Sequence, residues 1–168
     1  MHPEQCWLIT GGAGYIGSHV VDSFLAKGKD VVIYDSLSNG LESRVDYLSK
    51  KHGKVVPLII ADIRDYETFS TTLKKYSPYG VIHLAAVKAV GESMEHPEKY
   101  FDINLTATAK LLEAVSTHGI DHFIFSSTAA VYGSPEYSTP AKESDEKLPI
   151  SPYGISKIEA EQRNMVVG

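Results

Sequence analysis

Short apolar, β-branched runs recur along the chain at Cys6–Thr10, Val31–Asp35, Val55–Ala61, Val81–Ala85 and Phe123–Ser127. They are too short for helices and lack polar alternation, which predicts strands buried on both faces. Between them the apolar positions recur at helical spacing, predicting helices near Tyr15–Lys27, Leu41–His52, Asp65–Tyr76, Pro97–His118 and Pro152–Val167. Strands alternating with helices predict a parallel sheet, right-handed crossovers and a helical layer on each side: a doubly wound α/β fold. One irregular stretch, Thr128–Ser151, is rich in Pro, Ser, Glu and Tyr. A loop of that length inside a compact domain points to a functional, substrate-side segment.

The composition changes this picture little. At 168 residues and 43% hydrophobic content the chain suits one core, and we expect one domain over residues 1–168. A net charge of −5, with acids and bases interspersed, gives no footprint for nucleic acid or an anionic membrane. Met1–Gln5 carries no basic segment followed by an apolar run, and no apolar stretch approaches the roughly 18 residues of a membrane span, so a cytoplasmic protein is expected. Cys6 is the one cysteine, so no disulfide framework forms. The 7 histidines show no ligand spacing with cysteine or carboxylate, and no metal is expected.

Chemistry enters with Gly11-Gly12-Ala13-Gly14-Tyr15-Ile16-Gly17, between the first predicted strand and the first predicted helix. Glycines there permit a tight turn and let backbone N–H groups approach a pyrophosphate at the positive end of the helix. A plain strand-to-helix turn is the alternative. Asp35 favours the dinucleotide, because it ends the second strand near the offset of about 20 residues at which a carboxylate takes the ribose hydroxyls. A carboxylate there repels a 2′-phosphate and selects NAD over NADP. Asp62, ending the third strand, either reaches an adenine or caps a helix before Ile63.

Tyr153 and Lys157 stand four apart on the last predicted helix and project from one face. That helix follows the fifth strand and its long loop, beyond the carboxyl ends of the strands, where doubly wound sheets bind ligands. A phenol titrates near pKa 10, so acting as a base near neutrality needs a shift of about 3 units, which the Lys157 ammonium and a positive nicotinamide supply together. Thr128, where the fifth strand ends, is placed to bond a substrate hydroxyl and relay its proton. Ser126 and Ser127 beside it have a plainer reading, satisfying backbone groups as strand becomes loop.

These segments resemble the extended short-chain dehydrogenase/reductases, closest to the epimerases that act on UDP-glucose and UDP-galactose. Thr10–His19 is similar to the family's cofactor loop, Tyr34–Asn39 to its ribose turn, Ala61–Asp65 to its adenine-side turn and His83–Ser93 to its most epimerase-like segment. The resemblance implies an NAD site formed by Gly11, Gly14, Tyr15, Ile16, Gly17, Asp35, Asn39, Asp62, Ile63, Ala85, Lys88, Asn104, Tyr153 and Lys157. It implies Thr128, Tyr153 and Lys157 as the catalytic trio, inverting C4 of a UDP-sugar by hydride transfer through a 4-keto intermediate. It speaks against the related 4,6-dehydratases, which place a proton-transferring pair where Ala129-Ala130 stand here. Family members continue for about another domain, roughly 150–200 residues, that completes the sheet and holds the UDP-sugar. A Rossmann-type chain ending before those strands is expected to bind NAD weakly, to turn over no sugar alone, and to leave Ile155, Ile158, Met165 and Val166 short of cover. The resemblance also implies a homodimer through Pro97–His118 and Pro152–Val167, with Leu111, Leu112, Ala114 and Val115 either in that bundle or facing the sheet. Epimerases of UDP-glucuronate or UDP-N-acetylhexosamines, and a non-catalytic NAD-binding module, are the competing readings.

Overall fold

The computed structural model describes residues 6–133 and 140–166. The backbone gathers into two compact units, one of Met1–Ala85 with Lys110–Ser126 and the other of Ala86–Ala109 with Ser127–Gly168.

The first unit is built on a parallel sheet of β1 (Cys6–Thr10), β2 (Asp30–Asp35), β3 (Leu58–Ile60), β4 (Gly80–His83) and β5 (His122–Phe125), in the order β3-β2-β1-β4-β5. All pairings are parallel, with Leu8 aligned to Val32 on one side and to Val81 on the other. Side chains alternate between the faces. Ile9, Val31, Ile33 and Ile82 pack with Val21 and Leu25 of α1 (Tyr15–Ala26) and with Val45 and Leu48 of α2 (Glu42–His52). From the opposite face Tyr34 meets Phe69 of α3 (Tyr66–Tyr76), ring edge to ring face at 5.4 Å. The central strands are apolar on both sides because both sides carry helices.

The strand ends shift by up to a few residues from the predicted runs. The largest difference is β3, which the sequence extends to Val55–Ala61. Val55 is exposed, Val56 N–H turns to Ser49 Oγ (3.1 Å), and Pro57 contributes only its carbonyl, to Ile33 N–H (2.8 Å). An edge strand entered through proline pairs late. Asp65, and not Asp62, caps α3, accepting from Thr68 N–H at 3.0 Å.

The second unit corrects the long predicted helix over Pro97–His118. A separate helix α4 (Val90–Glu95) precedes it and ends at His96, whose backbone is pushed out of the helical region before Pro97. Then α5 (Pro97–Tyr100) widens into a π-helical stretch, Phe101–Ala107, before α6 (Thr108–Thr117), whose residues from Lys110 belong to the first unit. Leu111, Leu112, Ala114 and Val115 are buried within the chain, so they offer no face for a dimer. A 3-10 turn, Ala129–Tyr132, begins the segment read as irregular, and α7 (Pro152–Val166) follows it. Ile155 and Ile158 are half-buried, not bare; the side chains of Met165 and Val166 lie outside the described residues.

Candidate functional site

In the first unit the glycine loop is locked by contacts that leave no room for a side chain. Gly11 has φ +71°, and a Cβ on it would lie 2.8 Å from Ala85 N; one on Gly17 would lie 2.0 Å from Gly11 O. The strand ends beneath are stitched by Thr10, whose Oγ1 accepts from the N–H groups of Leu84 and Ala85 (3.2 Å each). The same hydroxyl is hydrogen-bonded to His83 Nδ1 at 2.7 Å. The loop delivers the chain into α1 with no side-chain cap at Gly14 and no acid in the first turn. Tyr15 and Ile16 are 70% and 61% exposed there. A helix start that is uncapped, free of acids and open to solvent is suited to an anionic group such as phosphate.

Asp35 closes the loop from the side. Its Oδ2 accepts from Ala13 N–H (3.0 Å) and its Oδ1 from Leu37 N–H (2.8 Å), leaving one lone pair on each oxygen for a ligand hydroxyl. Gly40 packs against it, since a Cβ there would lie 2.7 Å from Asp35 Oδ1. Asn39 is exposed in the same turn, and Ile63 is buried. Asp62 accepts from Arg64 N–H and Nε (2.9 Å each) and, on its other oxygen, from Nη2 (2.8 Å), and the guanidinium holds its carboxyl below the usual range. The residues present fit a dinucleotide: a close-approach loop, an uncapped helix start and a carboxylate at the end of β2.

In the second unit the proton-transfer candidates come together around the start of α7. Ser151 caps that helix, its Oγ accepting from Gly154 N–H at 3.1 Å, with Pro152 at the first helical position. Thr128 caps the 3-10 turn, its Oγ1 accepting from Ala130 N–H at 3.2 Å, which leaves its own O–H to donate elsewhere. The two elements pack directly. A Cβ on Gly154 would stand 2.7 Å from Ala130 O, so only glycine lets the turn bearing Thr128 settle against the turn bearing Tyr153. Tyr153 is partly buried, whereas Lys157, one turn on, is 3% exposed. Burial pushes the Lys157 ammonium down to about 8, opposed by the charge of Glu161. The nearby Ser127 hydroxyl does not satisfy backbone groups: it is buried with no hydrogen-bond partner among the described residues.

Lys88 is exposed in the same unit, ahead of α4. Asn104 is fully buried and its amide is occupied internally: Oδ1 accepts from Val87 N–H (3.0 Å) while Nδ2 donates to Val87 O (2.9 Å) and Ser156 Oγ (3.2 Å). It ties the segment before Lys88 to α7. Sequence reasoning missed Thr10, His83, Gly40, Gly154 and Ser156. Gly154 had a legible signal, a glycine without propensity reason in the first turn of a helix. Among the described residues no group of His, Cys, Asp and Glu is arranged to hold a metal ion, and no helix is long and apolar enough to cross a membrane.

Residues 8–166 match the family model described as GDP-mannose 4,6 dehydratase. A UDP-glucose 4-epimerase from Lacticaseibacillus casei is 44% identical over 154 residues, covering 92% of this chain and 44% of that protein. Among solved structures, a UDP-glucose-4-epimerase from Stenotrophomonas maltophila with bound NAD and formylated UDP-arabinopyranose matches with TM-score 0.92 at 37% identity, over 97% of this chain and 48% of that one. A UDP-glucose 4-epimerase from Brucella ovis in complex with NAD matches with TM-score 0.86 at 39% identity, over 94% of this chain and 46% of that one. The chain thus spans under half the length of these relatives.

Proposed function

Since the chain belongs to the GDP-mannose 4,6 dehydratase family of extended short-chain dehydrogenase/reductases, we propose that it carries the NAD cradle and proton-transfer residues of a UDP-sugar 4-epimerase acting on UDP-glucose and UDP-galactose. Gly11, Gly14, Tyr15, Ile16 and Gly17 hold the pyrophosphate, Asp35 and Asn39 the adenosine ribose, Asp62 and Ile63 the adenine, and Ala85 and Lys88 the nicotinamide side. NAD held there would supply the acceptor, and later the donor, of the sugar C4 hydride. Tyr153, as phenolate, accepts the proton of the sugar C4 hydroxyl, with Thr128 bonding that hydroxyl and relaying the proton. The same phenol returns the proton when the C4 carbonyl is reduced from its other face, so the configuration inverts. Lys157 supplies the positive charge that favours phenolate.

The observation that carries this reading is the start of α7, where Gly154 seats the Thr128 turn against the Tyr153 turn and Lys157 is buried one turn further on. Dehydration is disfavoured by the same turn, because Ala129 and Ala130, which follow Thr128, transfer no proton. The lone thiol of Cys6, buried and pushed up to about 11, is inert and suits a cytoplasmic setting. Tyr153→Phe is expected to cut interconversion of UDP-galactose and UDP-glucose by about 100- to 10,000-fold while leaving NAD affinity within about twofold, since one proton-transfer group is removed and the cradle is untouched. Assayed in the native polypeptide at the length its gene encodes, turnover equal to wild type in that variant ends the assignment, and NAD binding by the wild type without any sugar conversion indicates a non-catalytic module.

A further inference from the structure

We propose that Tyr100 is a positioning residue for this reaction, a two-ended strut whose ring orients the Tyr153 phenol and whose hydroxyl fixes the carbonyl of Ala89, the residue after Lys88. The inference rests on the reading of Tyr153 as the proton acceptor. Tyr153 lies in the first turn of α7, partly exposed, where a phenol on two rotatable bonds has freedom to swing. The Tyr100 ring stands against it with centroids 6.2 Å apart and planes at 76°, an edge-to-face pair that favours one orientation.

Tyr100 itself is fully buried and held at its far end. Its hydroxyl faces Ala89 O and Glu92 Oε2, both at 2.7 Å, and shares its one hydrogen between them. Glu92 is steadied in turn by Lys99 Nζ at 2.6 Å. Burial, followed by the Glu92 carboxylate, pushes the Tyr100 phenol up to about 12, so it stays a donor where a catalytic phenol ionises. Ala89 adjoins Lys88, and on the other side Val87 is bonded through both N–H and C=O to Asn104, one turn beyond Tyr100. The residues on either side of Lys88, Val87 and Ala89, are therefore tied to the same helical run that walls Tyr153. A phenol that must meet a substrate hydroxyl within hydrogen-bond reach gains from such a wall, because small misplacements of a reacting group are costly.

The two ends predict separable defects in the native polypeptide. Tyr100→Leu removes ring and hydroxyl. It is expected to lower kcat at saturating substrate and NAD by about tenfold or more, with KM for the UDP-sugar within about twofold. Tyr100→Phe keeps the ring. It is expected to hold kcat within about threefold, while weakening NAD binding by calorimetry about three- to tenfold, the scale of one lost hydrogen bond. A merely structural tyrosine lowers the melting temperature and produces neither the loss of kcat at unchanged KM nor the split between the variants. Wild-type kcat in Tyr100→Leu overturns the proposal, as does unchanged NAD affinity in Tyr100→Phe, which decides the matter alone if the leucine variant does not fold. Tyr153→Phe assayed alongside separates the failures, since full activity there condemns the parent reading and not the strut.

Discussion

At the scale of single residues, Lys157 gives the sharpest test, because its burial couples stability to function. Its folded-state pKa, about 8, lies below the ordinary 10.5, so between those values the unfolded chain binds more protons. The cost of burying the ammonium is fully present below about pH 8 and fades as pH rises toward 10.5. Urea unfolding should therefore find Lys157→Met stabilising at about pH 7 and progressively less so toward about pH 10.5. A stabilisation that grows with pH contradicts this. On the proposed reading of Tyr153 as proton acceptor, the expected catalytic counterpart is an alkaline limb in kcat/KM near 8, as the Lys157 charge is lost. Lys157→Met is expected to abolish that limb and to slow turnover by about 100-fold or more. Asp62 shows where residue-level reading stops. The sequence starts the helix at Asp65 and leaves Asp62 as either an adenine contact or a cap before Ile63. Arg64 folds back onto Asp62 while Thr68 N–H finds Asp65, so the cap is Asp65 and not Asp62.

At the scale of elements, the close approaches of glycines carry the predictions. Gly154→Ala places a Cβ 2.7 Å from the Ala130 carbonyl. The expected result is a loss of about 1–3 kcal/mol in denaturant unfolding, with turnover reduced further because the Thr128 turn is displaced from Tyr153. Wild-type stability would mean the two turns are not seated as described. Gly17→Ala is expected to abolish NAD binding by calorimetry, since its Cβ falls 2.0 Å from the rigid Gly11 carbonyl. The sheet and its flanking helices were legible in the chain because buried strands and amphipathic helices write their periods directly into it. The helical run from Pro97 was legible only as a helix. Its π-helical middle is stabilised by tertiary bonds, Asn104 to Val87 and Ser156 and Tyr100 to Ala89, and no local period announces those. For the same reason α4 went unseen: a glycine-containing stretch with no apolar stripe is set by its neighbours.

At the scale of the whole molecule, the sheet order β3-β2-β1-β4-β5 puts β1 at the centre, and the glycine loop issues from its carboxyl end. Such sheets bind dinucleotides at that end. The far edge is less finished: β5 pairs with β4 alone among the described strands, and Ile124 is 50% exposed. The chain spans 44% of the Lacticaseibacillus casei relative, and within that span the parallel sheet and the glycine loop were legible in the sequence.

The most direct measurement is the fate of the C4 hydrogen, followed by proton NMR with UDP-galactose and NAD in deuterium oxide, using the native polypeptide at the length its gene encodes. The account predicts conversion to UDP-glucose that depends on NAD and Tyr153, with C4 retaining its original hydrogen. Deuterium at C4 of the product, or conversion that survives Tyr153→Phe, would contradict it.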